Sequence, residues 1–567
     1  MRWTLKPKPD SKTVEDLQKA LQVDASVATL LVQRGIETYE AAKTFFRPSF
    51  NDLHDPFLMK DMDLAVARIE KALSNNENIL VYGDYDVDGT TSVALMSSYL
   101  KSKSDQIATY IPDRYDEGYG VSYKGIDFAH DNDFTLIIAL DCGVKAIDKV
   151  AYASEKGIDF IICDHHRPGD KLPKAIAVLD PKRDDCDYPY KELCGCGVGF
   201  KLIQALASKE GQSVEDLVVY LDLVATAIGA DIVPITGENR ALAYFGLQVI
   251  NTNPRLGIKA LISEVKKDKL TITDVVFIVA PRINAAGRMK HGNYAVNLLT
   301  ETDEFLAEEH AKEINTFNLD RREADKQITE EALIQISENN EVNRLTTVVY
   351  NASWHKGVIG IVASRLTETY YRPTLVFTKS GNQLAASARS VKGFDVYNAL
   401  EACSEHIEQF GGHKYAAGLT LKEENYAAFK QAFEDEVSKT IDRDLLIPEI
   451  KVDAQIQLDE ITPKFYRILR QFTPFGPGNM TPIFMTQNVK DSGYGKCVGE
   501  DDKHLRLTVV SPQAQSRGPK FVGIGFNLGN KIDLIKDNKS FDAVYSIDEN
   551  HWQGRTSLQL KLRDIKA

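Results

Sequence analysis

Cysteine is scarce in this sequence: seven among 567 residues, an odd number without regular spacing. That excludes a disulfide framework and fits a reducing cytosol. The stretch CGC, Cys194 to Cys196, lacks the spacing of zinc ligands, so these cysteines read as small packing residues. No run of about 18 uncharged apolar residues occurs, which excludes a helical membrane span. The opening MRWTLKPKPDSKTVEDL has no apolar stretch fit for export, and its acidic residues disfavour a transit peptide. A cytoplasmic protein is expected. Positive charge is also in deficit, with 68 Lys and Arg against 81 Asp and Glu and a net charge of −13. That excludes a surface coated for general nucleic-acid binding, though not a local basic channel. From Lys490 onward the balance reverses, to 13 basic against 10 acidic residues. This modest asymmetry is compatible with a nucleic-acid-binding C-terminal domain.

What is present is an ordinary globular composition, 43% apolar and 26% charged, in a chain long enough for about three or four domains. An N-terminal segment, 1–55, carries little signal. Over 56–300, helical patterns such as DLAVARIEKALS alternate with short apolar runs, NILVYGD, FTLIIALDCG and IDFIICDHH. This alternation predicts a parallel sheet with helices on both faces. Residues 302–340 hold no Gly or Pro and are densely charged. They predict a long, dominantly polar helical linker, over 301–343, bridging two domains. A second α/β unit is expected over 344–445, and short β-patterned runs over 446–567 predict a small β-barrel.

Ligands of a parallel sheet gather at the carboxyl ends of its strands. Acidic residues gather at those ends here: Asp84 and Asp86 after the first apolar run, Asp141 after the next, and Asp164-His165-His166 after the third. Asp231, after a further apolar stretch, is expected at another strand end. Two carboxylates about 4 Å apart repel by roughly 1 kcal/mol in water and several-fold more when partly buried. Solvent offsets this if DYDVDG is an exposed turn; a cation offsets it if the set converges. Hard oxygen ligands with imidazole suit Mn2+ or Mg2+ better than zinc. Two such ions serve phosphoester hydrolysis. Gly89 is expected to permit a sharp strand-to-helix turn, and Thr90 to Ser92 to offer amides to a phosphate.

DYDVDGT, LDCG, CDHH and ATAIGADIVP, in this order, resemble the four motifs of the DHH phosphoesterase superfamily. PRINAAGRM, WHKGVIGIVASRL, ASARS, GGHKYAAGL and PFGPGN are similar to motifs of its single-stranded-DNA exonuclease branch. The resemblance implies a parallel-sheet DHH catalytic domain, a long helical linker, a DHH-associated domain and a C-terminal OB-fold. It also implies 5′-to-3′ degradation of single-stranded DNA to mononucleotides in recombination and repair, with Mn2+, or alternatively Mg2+. By position, Asp84, Asp86, Asp141, His165 and Asp231 match the metal ligands. His166 matches a phosphate contact or proton donor, with Asp164 and Asp88 as supports. Small members carry a histidine four residues before the first motif aspartate; here that position is Leu80.

The resemblance makes Arg282, Asn284, Arg288, Arg389, Gly411, Gly412 and His413 candidates for substrate contact. Trp354 and His355 read either as a base stack or as core. On the barrel, Lys503, His504, Arg506, Trp552 and Arg555 are the candidate DNA contacts. A single-strand-binding protein and a helicase are the expected partners of a monomer. Two other readings are a DHH phosphodiesterase for short oligonucleotides or cyclic dinucleotides, and a catalytically silent DHH scaffold. For the short-substrate enzyme, removing residues after about 450 should leave activity nearly intact. The silent scaffold loses motif ligands, and this chain retains them.

Overall fold

The computed structural model describes residues 1–511 and 518–567, except the side chain of Trp552. The chain opens with strand β1 (Arg2–Leu5) and helices over Ser11–Leu21, Ala25–Val32 and Tyr39–Phe46. The first and third helices are capped by Asp10 and Thr38, whose side chains accept the amides of Thr13 and Ala41.

Strands β2 (Asn78–Gly83), β3 (Ile107–Tyr110), β4 (Phe134–Leu140), β5 (Asp159–Cys163) and β6 (Ala177–Leu179) form a wholly parallel sheet of order β3-β2-β4-β5-β6. Alternate residues of β2 serve opposite faces. Ile79 and Val81 join the larger core with Leu95 and Leu136, while Leu80 and Tyr82 join a second core with Ile137 and Phe160. With both faces covered, the strands need continuous apolar runs rather than alternation. Asp84, Asp141, Asp164 and also Asp180 leave the same edge of this sheet.

The helix Glu304–Glu338 is continuous over 35 residues, about 52 Å at 1.5 Å per residue. It is less of a solvated bridge than its composition predicts. Ala311, Ile314 and Phe317 belong to the larger core of the first α/β unit, and Ile328, Ala332 and Ile336 to a core with Trp354, Val358 and Val362 of the next unit. Small and apolar residues on one stripe suffice to build each half into a different domain. Strands β7 (Thr347–Tyr350), β8 (Thr374–Ser380), β9 (Gln383–Arg389), β10 (Gln409–His413) and β11 (Ala416–Leu421) then form a mixed sheet, order β10-β11-β9-β8-β7.

The C-terminal strands are β12 (Glu449–Val452), β13 (Ala454–Gln455), β14 (Phe484–Asp491), β15 (Lys496–Val498), β16 (His504–Val510), β17 (Lys520–Gly525), β18 (Phe541–Trp552) and β19 (Arg555–Lys566). Pairing runs β14-β18-β19-β17-β16 and returns from β16 to β14, closing a ring. Closure leaves no free edge among these strands. The N-terminal segment, opaque in sequence, belongs here: β1 pairs with β12, and Leu17, Leu30, Leu31 and Phe45 share a core with Phe465, Phe472 and Phe484. Arg240, near the start of the helix Gly237–Thr252 of the first α/β unit, locks the two ends of the chain to the centre. Its buried guanidinium donates to the carbonyls of Phe45, Gln471, Phe472 and Thr473 at 2.9–3.2 Å.

Candidate metal centre and phosphate cleft

Asp86 caps the helix Val87–Lys101, its Oδ1 accepting the Gly89 amide at 3.0 Å. Gly89 is needed for close approach rather than for a turn with positive φ. A Cβ there would stand 2.6 Å from the Asp84 amide nitrogen. The Thr90 amide is occupied by the Asp86 carbonyl, and the Thr90 and Thr91 hydroxyls donate to backbone carbonyls one turn earlier. These groups therefore support the helix start instead of facing a phosphate.

Asp88, the second residue of that helix, turns inward and accepts the amides of Gly195 and Cys196 at 2.7 Å each. It anchors the N-terminus of the helix Gly195–Lys209, where a carboxylate is favoured by the helix dipole. Gly195 in turn lies beneath Asp141: a Cβ on it would stand 2.5 Å from the Asp141 Cβ. The CGC stretch thus matters through its glycine. Burial, then the charge of Asp86, pushes the Asp88 carboxyl up to about 7.

Asp231 ends the helix Leu221–Ala230, an apolar run buried on all sides, rather than a strand. His165 Nε2 lies 3.2 Å from Asp141 Oδ1, 3.6 Å from Asp231 Oδ2 and 3.8 Å from Asp88 Oδ2. Asp141, His165 and His166, and likewise Asp88, His165 and Asp231, bring donor atoms within 4.8 Å of one another. Burial and mutual repulsion push Asp84 and Asp141 well above the usual carboxylate range and Asp231 up to about 8. Burial, then the neighbouring His166, lowers His165 to about 3, leaving it neutral. Both oxygens of Asp84, Oδ1 of Asp141 and both ring nitrogens of His165 are buried with no hydrogen-bond partner among the described residues. Buried polar atoms left bare in this way cost about 1–3 kcal/mol each. Divalent cations fit this donor set, giving each bare atom a partner and cancelling the repulsion.

Asp164, by contrast, is saturated. Its Oδ1 accepts the amides of His165 and His166 and faces His166 Nδ1 at 2.7 Å, and its Oδ2 accepts the Val144 amide. Burial would raise it, but the His166 bond and charge prevail and hold it at about 2. Burial would lower His166, but the bond to Asp164 and the charges of Asp164, Asp231 and Asp88 together lift it to about 9. Asp164 therefore orients His166 and leaves its Nε2 at the half-open face of the centre.

Beside the centre, Arg288 and Arg389 come together with Arg114 and Arg321, two residues that no sequence motif singled out. Burial, then the charges of Arg114, Arg389 and Arg321, lowers Arg288 to about 9; burial, then Arg114, lowers Arg389. The HKGVIG stretch brings these groups together across the two α/β units. Arg288 Nη1 donates to the Gly357 carbonyl at 3.1 Å, and a Cβ on Gly360 would stand 3.1 Å from Arg389 Nη2. Asn284 Oδ1 is buried and bare, one helical turn before Arg288. Arg282 lies elsewhere, tied to Asn315 Oδ1 and the Ile278 carbonyl.

Gly411, Gly412 and His413 form the exposed edge strand β10 rather than a concave anion nest. The register His413–Ala416–Arg389 places that histidine in line with Arg389, two strands away. Trp354 is core, with Nε1 donating to Glu331 of the long helix at 2.7 Å. On the barrel, His504 packs edge-on to Phe526, Lys503 pairs with Asp501, and Arg506 stands exposed opposite Lys496. Arg555 begins β19 and is exposed; the Trp552 side chain lies outside the described residues.

Three family profiles match the chain: "DHH family, N-terminal domain" over 78–228, "DHHA1 domain" over 342–439 and "RecJ OB domain" over 452–564. The single-stranded-DNA-specific exonuclease RecJ of Bacillus subtilis is 37% identical over all of this chain and 70% of its own length. The protein of the same name in Escherichia coli is 33% identical over 89% of this chain and 90% of its own. The crystal structure of RecJ in complex with Mn2+ from Thermus thermophilus superposes with a TM-score of 0.85 at 26% identity, over 100% of this chain and 79% of that one. With all three domain profiles matched in order and relatives 33–37% identical over most of both chains, the chain belongs to the RecJ family of single-stranded-DNA-specific exonucleases.

Proposed function

We propose that this single-stranded-DNA exonuclease removes mononucleotides from the 5′ end at a centre holding two divalent cations, Mn2+ in preference to Mg2+. The carrying observation is the set of buried, unpartnered donors on Asp84, Asp141 and His165. Asp86 and Asp231 complete the proposed ligand set. Bound cations supply charge neutralisation at the phosphate and activation of the attacking water.

The chain's own residues do the rest. Asp164 holds the imidazole of His166 through Nδ1, so that its Nε2–H can donate to a non-bridging oxygen or the leaving oxygen of the scissile phosphate. Arg288 and Arg389 lie in a cation cluster, and each ends in guanidinium groups suited to phosphate oxygens. They would fix the register of the strand, while the barrel tracks its backbone through Lys503, Arg506 and Arg555. Recombination and repair in the cytoplasm, alongside a single-strand-binding protein and a helicase, complete the proposal. No helix among the described residues is long and apolar enough to cross a membrane. The ring closes within one chain, which supports action as a monomer.

A time course on single-stranded DNA labelled at either end, with Mn2+, Mg2+ or chelator, tests this reading. Immediate release of a 5′ label as a mononucleotide, and none in chelator, is the expected result. Early release of a 3′ label would reverse the polarity. Hydrolysis of dinucleotides with long DNA left intact would make it a short-substrate enzyme.

A further inference from the structure

We propose that Tyr119 is a positioning residue for His166, fixing the imidazole through its phenol oxygen. The inference rests on the role given to His166 above. Tyr119 Oη stands 3.2 Å from His166 Nε2 and 3.3 Å from the carbonyl oxygen of Asp141. The two rings meet edge to face, 5.9 Å apart at 80°. With Asp164 on Nδ1 at 2.7 Å, both ring nitrogens of His166 are held, and the ring cannot turn about its own axis without breaking a bond.

The bond works in either charge state. Before substrate arrives, a protonated Nε2 donates to the phenol, whose own hydrogen goes to the Asp141 carbonyl; an incoming phosphate oxygen then shares that one Nε2–H with the phenol. A bare Nε2 instead accepts that hydrogen. Tyr119 therefore ties the direction of the imidazole to the backbone of Asp141, an acid at the heart of the centre. Fixing a donor in this way removes orientational freedom that the reaction would otherwise have to restrict.

Packing does not account for the side chain. Tyr119 is 53% exposed, although it belongs to a loop bordering the buried centre. Gly118 and Gly120 on either side have φ of +81° and +79°, conformations open to glycine, and they present the tyrosine between them. The ring also meets Tyr85 edge-on at 6.4 Å, and Tyr85 lies under Arg114 at 4.5 Å. Tyr119 thus stands where the metal centre passes into the arginine cleft.

The test compares full-length Tyr119→Phe, Tyr119→Ala, His166→Ala and the Tyr119→Phe/His166→Ala double variant with Mn2+ on a 5′-labelled oligonucleotide. Tyr119→Phe is expected to lower kcat about tenfold, the worth of one hydrogen bond, with KM within about twofold. Tyr119→Ala should match Tyr119→Phe, because the hydroxyl rather than the ring acts. In the His166→Ala background Tyr119→Phe should cost nothing further. A wild-type rate for Tyr119→Phe, or a full tenfold loss added to that of His166→Ala, overturns the proposal. Wild-type turnover by His166→Ala overturns the reading of His166 itself, and so separates the two failures.

Discussion

The amide of Ile235 donates to the carbonyl of Pro477 at 2.7 Å, joining the loop that leaves Asp231 to the PFGPGN turn of the C-terminal domain. Asn479 in that turn donates to the carbonyls of Phe472 and Pro474 and accepts from Arg34. The loop after Asp231, the barrel and the N-terminal helices are thus one connected body.

The first expectation concerns truncation. Removing residues after 450 would strip the partners of Leu17, Leu30, Leu31 and Phe45 and leave the N-terminal helices with a bare apolar face. We expect this chain to aggregate on size-exclusion chromatography, whereas removing residues 1–50 as well yields a soluble monomer. The barrel is therefore not the freely detachable module that its β-pattern implies, and activity on short substrates is a fair test only in the doubly truncated chain. A monodisperse single truncation would count against a shared core.

Metal removal should be visible without any substrate. Bare donors on Asp84, Asp141 and His165 favour any state that fills them. A cation at 100 times its Kd adds about 2.7 kcal/mol to stability. Differential scanning calorimetry in chelator and then in excess Mn2+ should show the catalytic transition rise by about 5 °C. Asp84→Asn should lose most of that rise while remaining folded in chelator, since it relieves the repulsion from Asp86.

Gly195→Ala should be far more harmful than an ordinary helix substitution. The added methyl would strike Asp141 at the Cβ and through the side chain to Oδ1. We expect kcat to fall at least about 100-fold, the scale on which displacing a reacting group by 1 Å acts. Circular dichroism should remain unchanged. Full activity would mean that Asp141 has room to move.

The Asp164–His166 pair gives the metal-free protein a signed pH dependence. His166 is raised from 6.5 to about 9 on folding, so its contribution is complete below about pH 6.5 and is lost as pH rises through 9. Asp164 is lowered from 3.8 to about 2, so its contribution holds above about pH 3.8 and is lost as pH falls through 2. Thermal midpoints in chelator should therefore decline between pH 6.5 and 9 in the wild type. His166→Gln should flatten that decline, and an equal slope in both proteins would dissociate His166 from it.

Much of the centre was legible because strand-end position and residue type are both local. A buried strand reads as an apolar run, and the residue after it emerges at the ligand edge; this singled out Asp84, Asp141 and Asp164. Ligand chemistry is legible for the same reason, as acids and imidazoles are the side chains such ions favour. Arg282 and Arg288, six residues apart in one motif, could not be told apart until the helix Ala280–Met289 was placed. The first then turned to Asn315 and the second to the cleft. Tyr119 and Arg114 lie in a loop with no periodicity and gave no signal.

By itself, then, the sequence determined the parallel sheet, the acidic edge, the long helix and the family motifs, since each depends on neighbours within one or two turns of chain. Tertiary structure alone decided which donors remain bare, which arginines meet across the two α/β units, and that the N-terminal helices complete the core of the barrel. Those facts depend on contacts between residues tens to hundreds of positions apart, where burial and unpaired charge exist only after the chain has closed on itself.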